Sequence, residues 1–187
     1  MGSSVFFART AFLYCVLTYN ALIDACGRVR NMELGCDLAN RMKQERIRPD
    51  VYTLNTLIAV CGRCGDVERA FKVLSEMMEE GVRPDEVTYN TLIDTLGKKG
   101  CLDRAWRLLS DMHEIGLKPT RVTYNCFACA CAKARDADMA DMTHHMQADA
   151  VQPDKLSLNV TLSAIVDACV RGGRLTDGVD VFILAPR

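Results

Sequence analysis

The 187-residue sequence has no apolar run approaching the roughly 18 residues of a membrane-spanning helix, so no span is expected. With only 5 prolines and 12 glycines, its composition is neither collagen-like nor that of a low-complexity disordered chain. Positive charge is not in excess either. The 23 Lys and Arg are offset by 24 Asp and Glu, for a net charge of −1. That excludes a uniformly basic nucleic-acid glue, so any binding to RNA or DNA must rest on local sorting of charge. A secretory signal is missing: the apolar stretch Val5 to Ala8 is broken by Arg9 before it resumes from Ala11 to Val16, with no cleavage context. The opening Met-Gly has Phe6 where a myristoylation signal wants Ser or Thr. There is no Walker loop, nucleophile elbow or pair of catalytic carboxylates. The H-x-E with P-C-x-x-C pairing of a zinc deaminase does not occur. An enzyme is therefore not expected.

What is present is an ordinary globular balance, 49% hydrophobic and 25% charged, with length for one domain or one continuous array. The 10 cysteines have mostly apolar neighbours and no secretory context, which fits buried thiols in a reducing compartment. Cys61-Gly-Arg-Cys64, and Cys126, Cys129 and Cys131 with His144 and His145, carry the residue types of a zinc or redox site. Against this, Cys61 and Cys131 fall in the same helical slot as Cys26 and Cys169, and no second C-x-x-C stands at zinc-site spacing. The thiols are read as core residues and no metal or cofactor is assigned, with Cys126, Cys129 and His144 or His145 as the one set that leaves a metal open.

Comparison of the chain with itself gives the dominant signal. Pro49, Pro84, Pro119 and Pro153 are spaced by 35, 35 and 34 residues. Asp50, Asp85, Thr120 and Asp154 follow them. A related phrase recurs in step: Thr18-Tyr19-Asn20, Thr53-Leu54-Asn55, Thr88-Tyr89-Asn90 and Thr123-Tyr124-Asn125. Units are therefore expected at 16–50, 51–85, 86–120 and 121–158, the fourth irregular around Asp141 to His145 and carrying an insertion at 155–158. A partial fifth runs over 159–187, and 1–15 form an N-terminal segment, read as a fragment edge or weak presequence. Beginning the fifth unit at Asn159 aligns Leu162, Ile165, Val166, Cys169 and Gly173 with the others.

Counting each unit from its first residue (Val16, Val51, Glu86, Arg121), positions 4, 7, 8 and 11 are apolar: Tyr19, Leu22, Ile23 and Cys26, then Leu54, Leu57, Ile58 and Cys61. This is the spacing of one helical face. Gly65 and Gly100 suit a helix C-terminus, and Asn31 and Asp66 suit the next N-cap. A second helix follows with Val67, Ala70, Val73, Leu74 and Met77, and a Gly-x-x-Pro-Asp turn closes the unit. Pairs this short bury their apolar faces only by stacking on neighbours, so the expected fold is all-α, a right-handed α-solenoid of helix-turn-helix repeats.

Positions 5, 9 and 13 share another face of the first helix. Position 5 is Asn20, Asn55, Asn90 and Asn125, then Ser163. Position 13 is basic throughout: Arg28, Arg63, Lys98, Lys133 and Arg171. A carboxamide suits the edge of a base and a cation suits a phosphate. In register, the two would follow successive nucleotides of a single strand. A structural alternative exists for position 13, because a cation near a helix C-terminus also complements the macrodipole.

Thr-Tyr-Asn-Thr-Leu-Ile-Asp (Thr88 to Asp94) together with the closing Gly-x-x-Pro-Asp resembles the pentatricopeptide-repeat family over about residues 16–182. Ala70 and Ala105, and Met42, Met77 and Met112, recur with it. The Trp-x-x-Leu-Gly-x-x-Tyr helix of the tetratricopeptide repeat is absent. The resemblance implies single-stranded RNA binding with one base read per repeat, by position 5 together with the last residue of the unit. Carried over by position, Asn20 with Asp50, Asn55 with Asp85 and Asn125 with Asp154 look like uracil-preferring pairs. Asn90 with Thr120 departs from them toward a weaker pyrimidine preference, and Ser163 suggests a purine. Position 2 (Leu17, Tyr52, Val87, Val122, Val160) would sandwich the bases. The implied site is U-rich. The resemblance also implies a mitochondrial or chloroplast location and a role in RNA processing, stability, editing or translation. Residues 1–23, with Arg9 and no acidic residue, support such a location only faintly. The rival expectation is a helical scaffold that binds a protein or peptide partner in the same concave groove.

Overall fold

The computed structural model describes residues 16–134 and 145–152, with Asn159 and Ser163 as single helical positions. Seven helices run along the first stretch: α1 (16–28), α2 (Met32–Gln44), α3 (Val51–Cys64), α4 (Val67–Glu79), α5 (Glu86–Lys99), α6 (Leu102–Glu114) and α7 (Arg121–Ala134). A helical turn follows over 145–148. Among the described residues there is no strand, and no helix is long and apolar enough to cross a membrane. The fold is all-α, of the helical-hairpin solenoid class. The chain divides into two compact units, Met1–Thr95 and Leu96–Arg187.

In the first unit the hairpin α3–α4 packs together, and α2 packs on α3. α4 shows why its sequence makes a helix. Its side chains Ala70, Val73 and Met77 return at 3–4 residue spacing and all three are buried. α3 contributes Leu54, Leu57, Ile58, Val60 and Cys61 to the same core, each large aliphatic worth roughly 1.5–3 kcal/mol on burial. Val16, Met42 and Ile47 form a smaller cluster, with Tyr19 against it. Leu22 is the exception: it is 47% exposed, whereas Leu57 and Leu92 at the same register are buried. Leu57 lies toward α2 of the preceding hairpin, and no described helix precedes α1 to cover Leu22 in the same way.

In the second unit α6 packs on α7. Leu102, Ala105, Leu108, Leu109 and Met112 meet Tyr124, Phe127 and Ala128 in the core. Trp106 is half-buried. Its ring lies 4.1 Å from that of Phe127 and 5.1 Å from that of His145. Cys26 and Cys61 are buried as expected, and burial pushes the Cys61 thiol up to about 12. Cys36, Cys64, Cys101, Cys126 and Cys129 are half-buried. The side chain of Cys131 and all of His144 and Cys169 lie outside the described residues.

The helix ends are written locally. Asn31 accepts from the Leu34 N–H and Asp66 from the Arg69 N–H, as N-caps. Gly65 adopts φ 75° beyond α3, and the Asp66 N–H returns to the Cys61 carbonyl at 3.0 Å. That closure needs the left-handed conformation, which glycine adopts freely.

Two features were not anticipated. Asp50 is the N-cap of α3, in a reciprocal capping box with Thr53. Asp85 does the same for α5: the Thr88 N–H donates to Asp85 Oδ1 at 2.9 Å and the Asp85 N–H to Thr88 Oγ1 at 3.1 Å. The second is glycine at position 12. A Cβ on Gly62 would sit 2.3 Å from Thr95 Oγ1, and one on Gly97 would sit 2.2 Å from Ala130 Cβ and 2.8 Å from its Cα. Successive first helices approach closely there, α3 to α5 in one unit and α5 to α7 in the other.

Candidate nucleic-acid interface

The caps and close approaches place the position-5 asparagines along the first helices. Asn20 is 4% exposed and Asn55 9% exposed, while Asn90 and Asn125 are half-buried. These are not free surface amides, as the sequence alone would suggest. Position 2 behaves oppositely: Leu17, Tyr52, Val87 and Val122 are exposed by 56%, 65%, 56% and 58%. Large apolar side chains at such exposure lie ready for a flat apolar ligand face.

Within the first unit, two open clefts combine these elements. One, of about 530 Å³, is lined by Leu17, Asn20, Asp50 and Tyr52, with Arg28 and Arg48. The next, of about 490 Å³, is lined by Tyr52, Asn55, Asp85 and Val87, with Arg63. Tyr52 is shared, so its ring separates two amide–carboxylate pairs. Asn55 Nδ2 donates to Asp85 Oδ1 at 3.0 Å, and Asn55 Oδ1 accepts from Thr88 Oγ1 at 2.6 Å. Burial pushes the Asp85 carboxyl up. Hydrogen bonds from the Thr88 backbone, the Asn55 amide, the Thr88 side chain and the Val87 backbone outweigh it and hold Asp85 below the usual carboxylate range. Asn20 and Asp50 line one cleft, but Asp50 Oδ1 is taken by Thr53. Oδ1 of Asn20, Asn90 and Asn125 is buried without a hydrogen-bond partner, which makes each an acceptor held out of water with its bonding capacity unused.

Arg28, Arg63 and Lys98 are exposed at position 13. Two of them share an anion that sequence reading passed over. Asp24, at position 9, accepts from Arg28 Nε and Nη2 at 3.0 and 2.8 Å and from Arg63 Nη1 at 2.9 Å. The guanidiniums of Arg63 and Arg28 hold its carboxyl below the ordinary range. Thr120 is half-buried and its N–H donates to Thr123 Oγ1 at 3.0 Å. Ser163 is exposed and helical. The side chain of Lys133, and Asp154, Val160 and Arg171 with the insertion 155–158, lie outside the described residues. Among the described residues no three potential metal ligands converge.

Paired short helices, a 35-residue recurrence and an amide row beside a cation row define a helical-hairpin repeat protein. A family model for the PPR repeat family matches residues 15–61, 49–98 and 84–133, and a PPR repeat model matches 122–146. The chain belongs to the pentatricopeptide repeat family. No curated protein sequence matches it. Among solved structures it is similar to the pentatricopeptide repeat protein PPR10 from maize, with a TM-score of 0.76 at 22% identity, covering 91% of this chain and 24% of that one. It also resembles PPR10 in complex with an 18-nt psaJ RNA element, with a TM-score of 0.72 at 24% identity, covering 89% and 28%. A third likeness is to the PPR domain of Arabidopsis thaliana protein-only RNase P 1 in complex with tRNA, with a TM-score of 0.66 at 18% identity, covering 89% and 88%. The chain spans about a quarter of the length of PPR10.

Proposed function

We propose that the chain binds single-stranded RNA, one nucleotide per helix pair. The observation that carries this reading is the repeated cleft: a buried Asn with an Asp, set between exposed apolar side chains one unit apart. The side chains at position 2 stack against bases. Asn20 with Asp50 and Asn55 with Asp85 meet base edges and favour uracil. Asn125 with Asp154 likewise favours uracil, Asn90 with Thr120 a pyrimidine more weakly and Ser163 a purine, for a U-rich site. Arg28, Arg63, Lys98, Lys133 and Arg171 face phosphates. Support comes from family membership and from two similar structures, PPR10 with an 18-nt psaJ RNA element and the PRORP1 PPR domain with tRNA. A role in organellar RNA processing, stability, editing or translation extends the proposal on family resemblance alone.

Titration of the purified chain with U-rich single-stranded RNA, oligo(A) and duplex RNA at two salt concentrations tests the reading. Preferred binding of the U-rich strand that weakens steeply with salt supports it. Salt-insensitive binding of peptides without RNA binding would replace it with the scaffold reading.

A further inference from the structure

Asn55, Asp85 and Thr88 form a closed hydrogen-bond ring that the neighbouring sites do not share. Asp85 Oδ1 accepts both the Asn55 Nδ2 hydrogen at 3.0 Å and the Thr88 N–H at 2.9 Å. Thr88 Oγ1 lies 2.6 Å from Asn55 Oδ1 and 2.9 Å from Asp85 Oδ1, and has one hydrogen to give. Asp85 Oδ1 already holds two donors, so that hydrogen goes to the shorter contact, Asn55 Oδ1. Turning the carboxamide over would set its oxygen against the carboxylate, two acceptors with no hydrogen between them. Thr88 is fully buried and Asn55 nearly so, leaving little water to compensate for a lost bond. Under α1 the arrangement differs: Thr53 Oγ1 donates to Asp50 Oδ1, and Asn20 Oδ1 is left without a partner.

We infer that Thr88 is a specificity-determining positioning residue: by engaging Asn55 Oδ1 it fixes the carboxamide so that the second Nδ2 hydrogen faces the cleft. The site then offers a donor from Asn55 beside an acceptor from Asp85. It selects a base edge with an acceptor next to a donor, as uracil has in its carbonyl and N3–H. Thr88 itself, buried, touches no ligand. This rests on the RNA reading above, and it adds a residue from the next helix pair to the two expected to read the base.

The test is competition binding of the full chain with short single-stranded RNAs that differ at one nucleotide, the one whose identity Asn55→Ala ceases to read. The parent is expected to prefer uracil there by about tenfold, within the range of a good bidentate contact. Thr88→Val should reduce that preference to under about threefold with the other nucleotides read as before, and Thr88→Ser should restore it. Thr53→Val removes an equivalent capping hydroxyl that touches no asparagine and should leave this nucleotide's preference intact. Side-chain amide exchange by NMR gives a readout without RNA: the Asn55 Nδ2 protons should exchange slowly in the parent and at least about tenfold faster in Thr88→Val. Full discrimination in Thr88→Val, or an equal loss in Thr53→Val, overturns the inference. A parent that binds no RNA overturns the RNA reading and the selectivity with it. Unchanged amide exchange in Thr88→Val separately overturns the positioning role.

Discussion

Asn55 Nδ2 donates to Asp85 Oδ1 across 3.0 Å, tying the first helix of one hairpin to the residue that starts the next. Asp85 therefore has two tasks, capping α5 and completing the cleft. Asn caps a helix about as well as Asp, whereas Ala costs about 1 kcal/mol. Asp85→Asn is expected to keep thermal stability within about 0.5 kcal/mol of the parent while changing which base is preferred at that cleft. Asp85→Ala should lower stability by about 1 kcal/mol as well. Urea denaturation alongside RNA competition separates the two effects.

Tyr52 stands 65% exposed between the two clefts. Its removal takes little from the core, so Tyr52→Ala should alter stability by no more than about 0.5 kcal/mol. RNA affinity should fall by about 1–3 kcal/mol, the worth of one stacking contact. Unchanged affinity would show that position 2 does not stack.

Asp24 neutralises charge where phosphate contacts are proposed. Asp24→Asn should release Arg28 and Arg63, strengthen RNA binding at low salt and steepen its salt dependence. Exposed ion pairs of this kind contribute about 0–1 kcal/mol to stability, so the denaturation midpoint should barely move. Weaker RNA binding in this variant would mean that Asp24 orients the two arginines productively.

Gly97 tests the close approach of α5 and α7. Alanine favours a helix over glycine by about 1 kcal/mol, but its methyl would meet the backbone of Ala130 at 2.8 Å. Overpacking of that kind costs about 1–3 kcal/mol, so Gly97→Ala should be destabilising on balance. A stabilised variant in urea denaturation would show that the two helices separate at little cost.

His113 predicts a pH dependence in the second unit. Its Nε2 lies 2.9 Å from Asp149 Oδ1 and its Nδ1 2.8 Å from the Leu109 carbonyl. Two acceptors call for a proton on both ring nitrogens. The Asp149 hydrogen bond, then the Leu109 carbonyl, hold its pKa above the ordinary 6.5. Asp149 is held low despite burial, by Tyr124 and His113, and burial with Asp149 holds Tyr124 high. The stabilisation is thus full below about pH 6.5 and is lost as pH rises through the raised folded value. Denaturation midpoints from pH 6 to 8.5 should fall more steeply for the parent than for His113→Gln.

The fold was legible because a two-helix unit needs few instructions and repeats them. The 3–4 spacing of Leu54, Leu57, Ile58 and Cys61, the caps Asn31 and Asp66 and the break at Gly65 are local signals, and the structure uses each. Leu22 was misjudged because its burial depends on a neighbouring helix rather than on its own pattern. The Asn row was visible, but its burial was not, since solvent access is set by side chains from adjoining helices. Two other features had signals that could have been read. Asp50–Thr53 and Asp85–Thr88 stand at capping-box spacing, and Gly27, Gly62 and Gly97 recur every 35 residues. The grip of Asp24 on Arg63 had none, because it joins residues 39 apart.

The capping role of the residue that closes each unit limits what can be written there. Asp50 and Asp85 each begin a helix with a side-chain oxygen, Oδ1, that accepts the N–H of the residue three further on. Only a few short polar side chains perform that service well. The last position of a unit thus has a restricted alphabet set by folding before any ligand is considered. Altering what a unit recognises means choosing among Asp, Asn, Ser and Thr there, or accepting a frayed helix start. Redesign of the array has more latitude at exposed position 2, where no helix start depends on the choice.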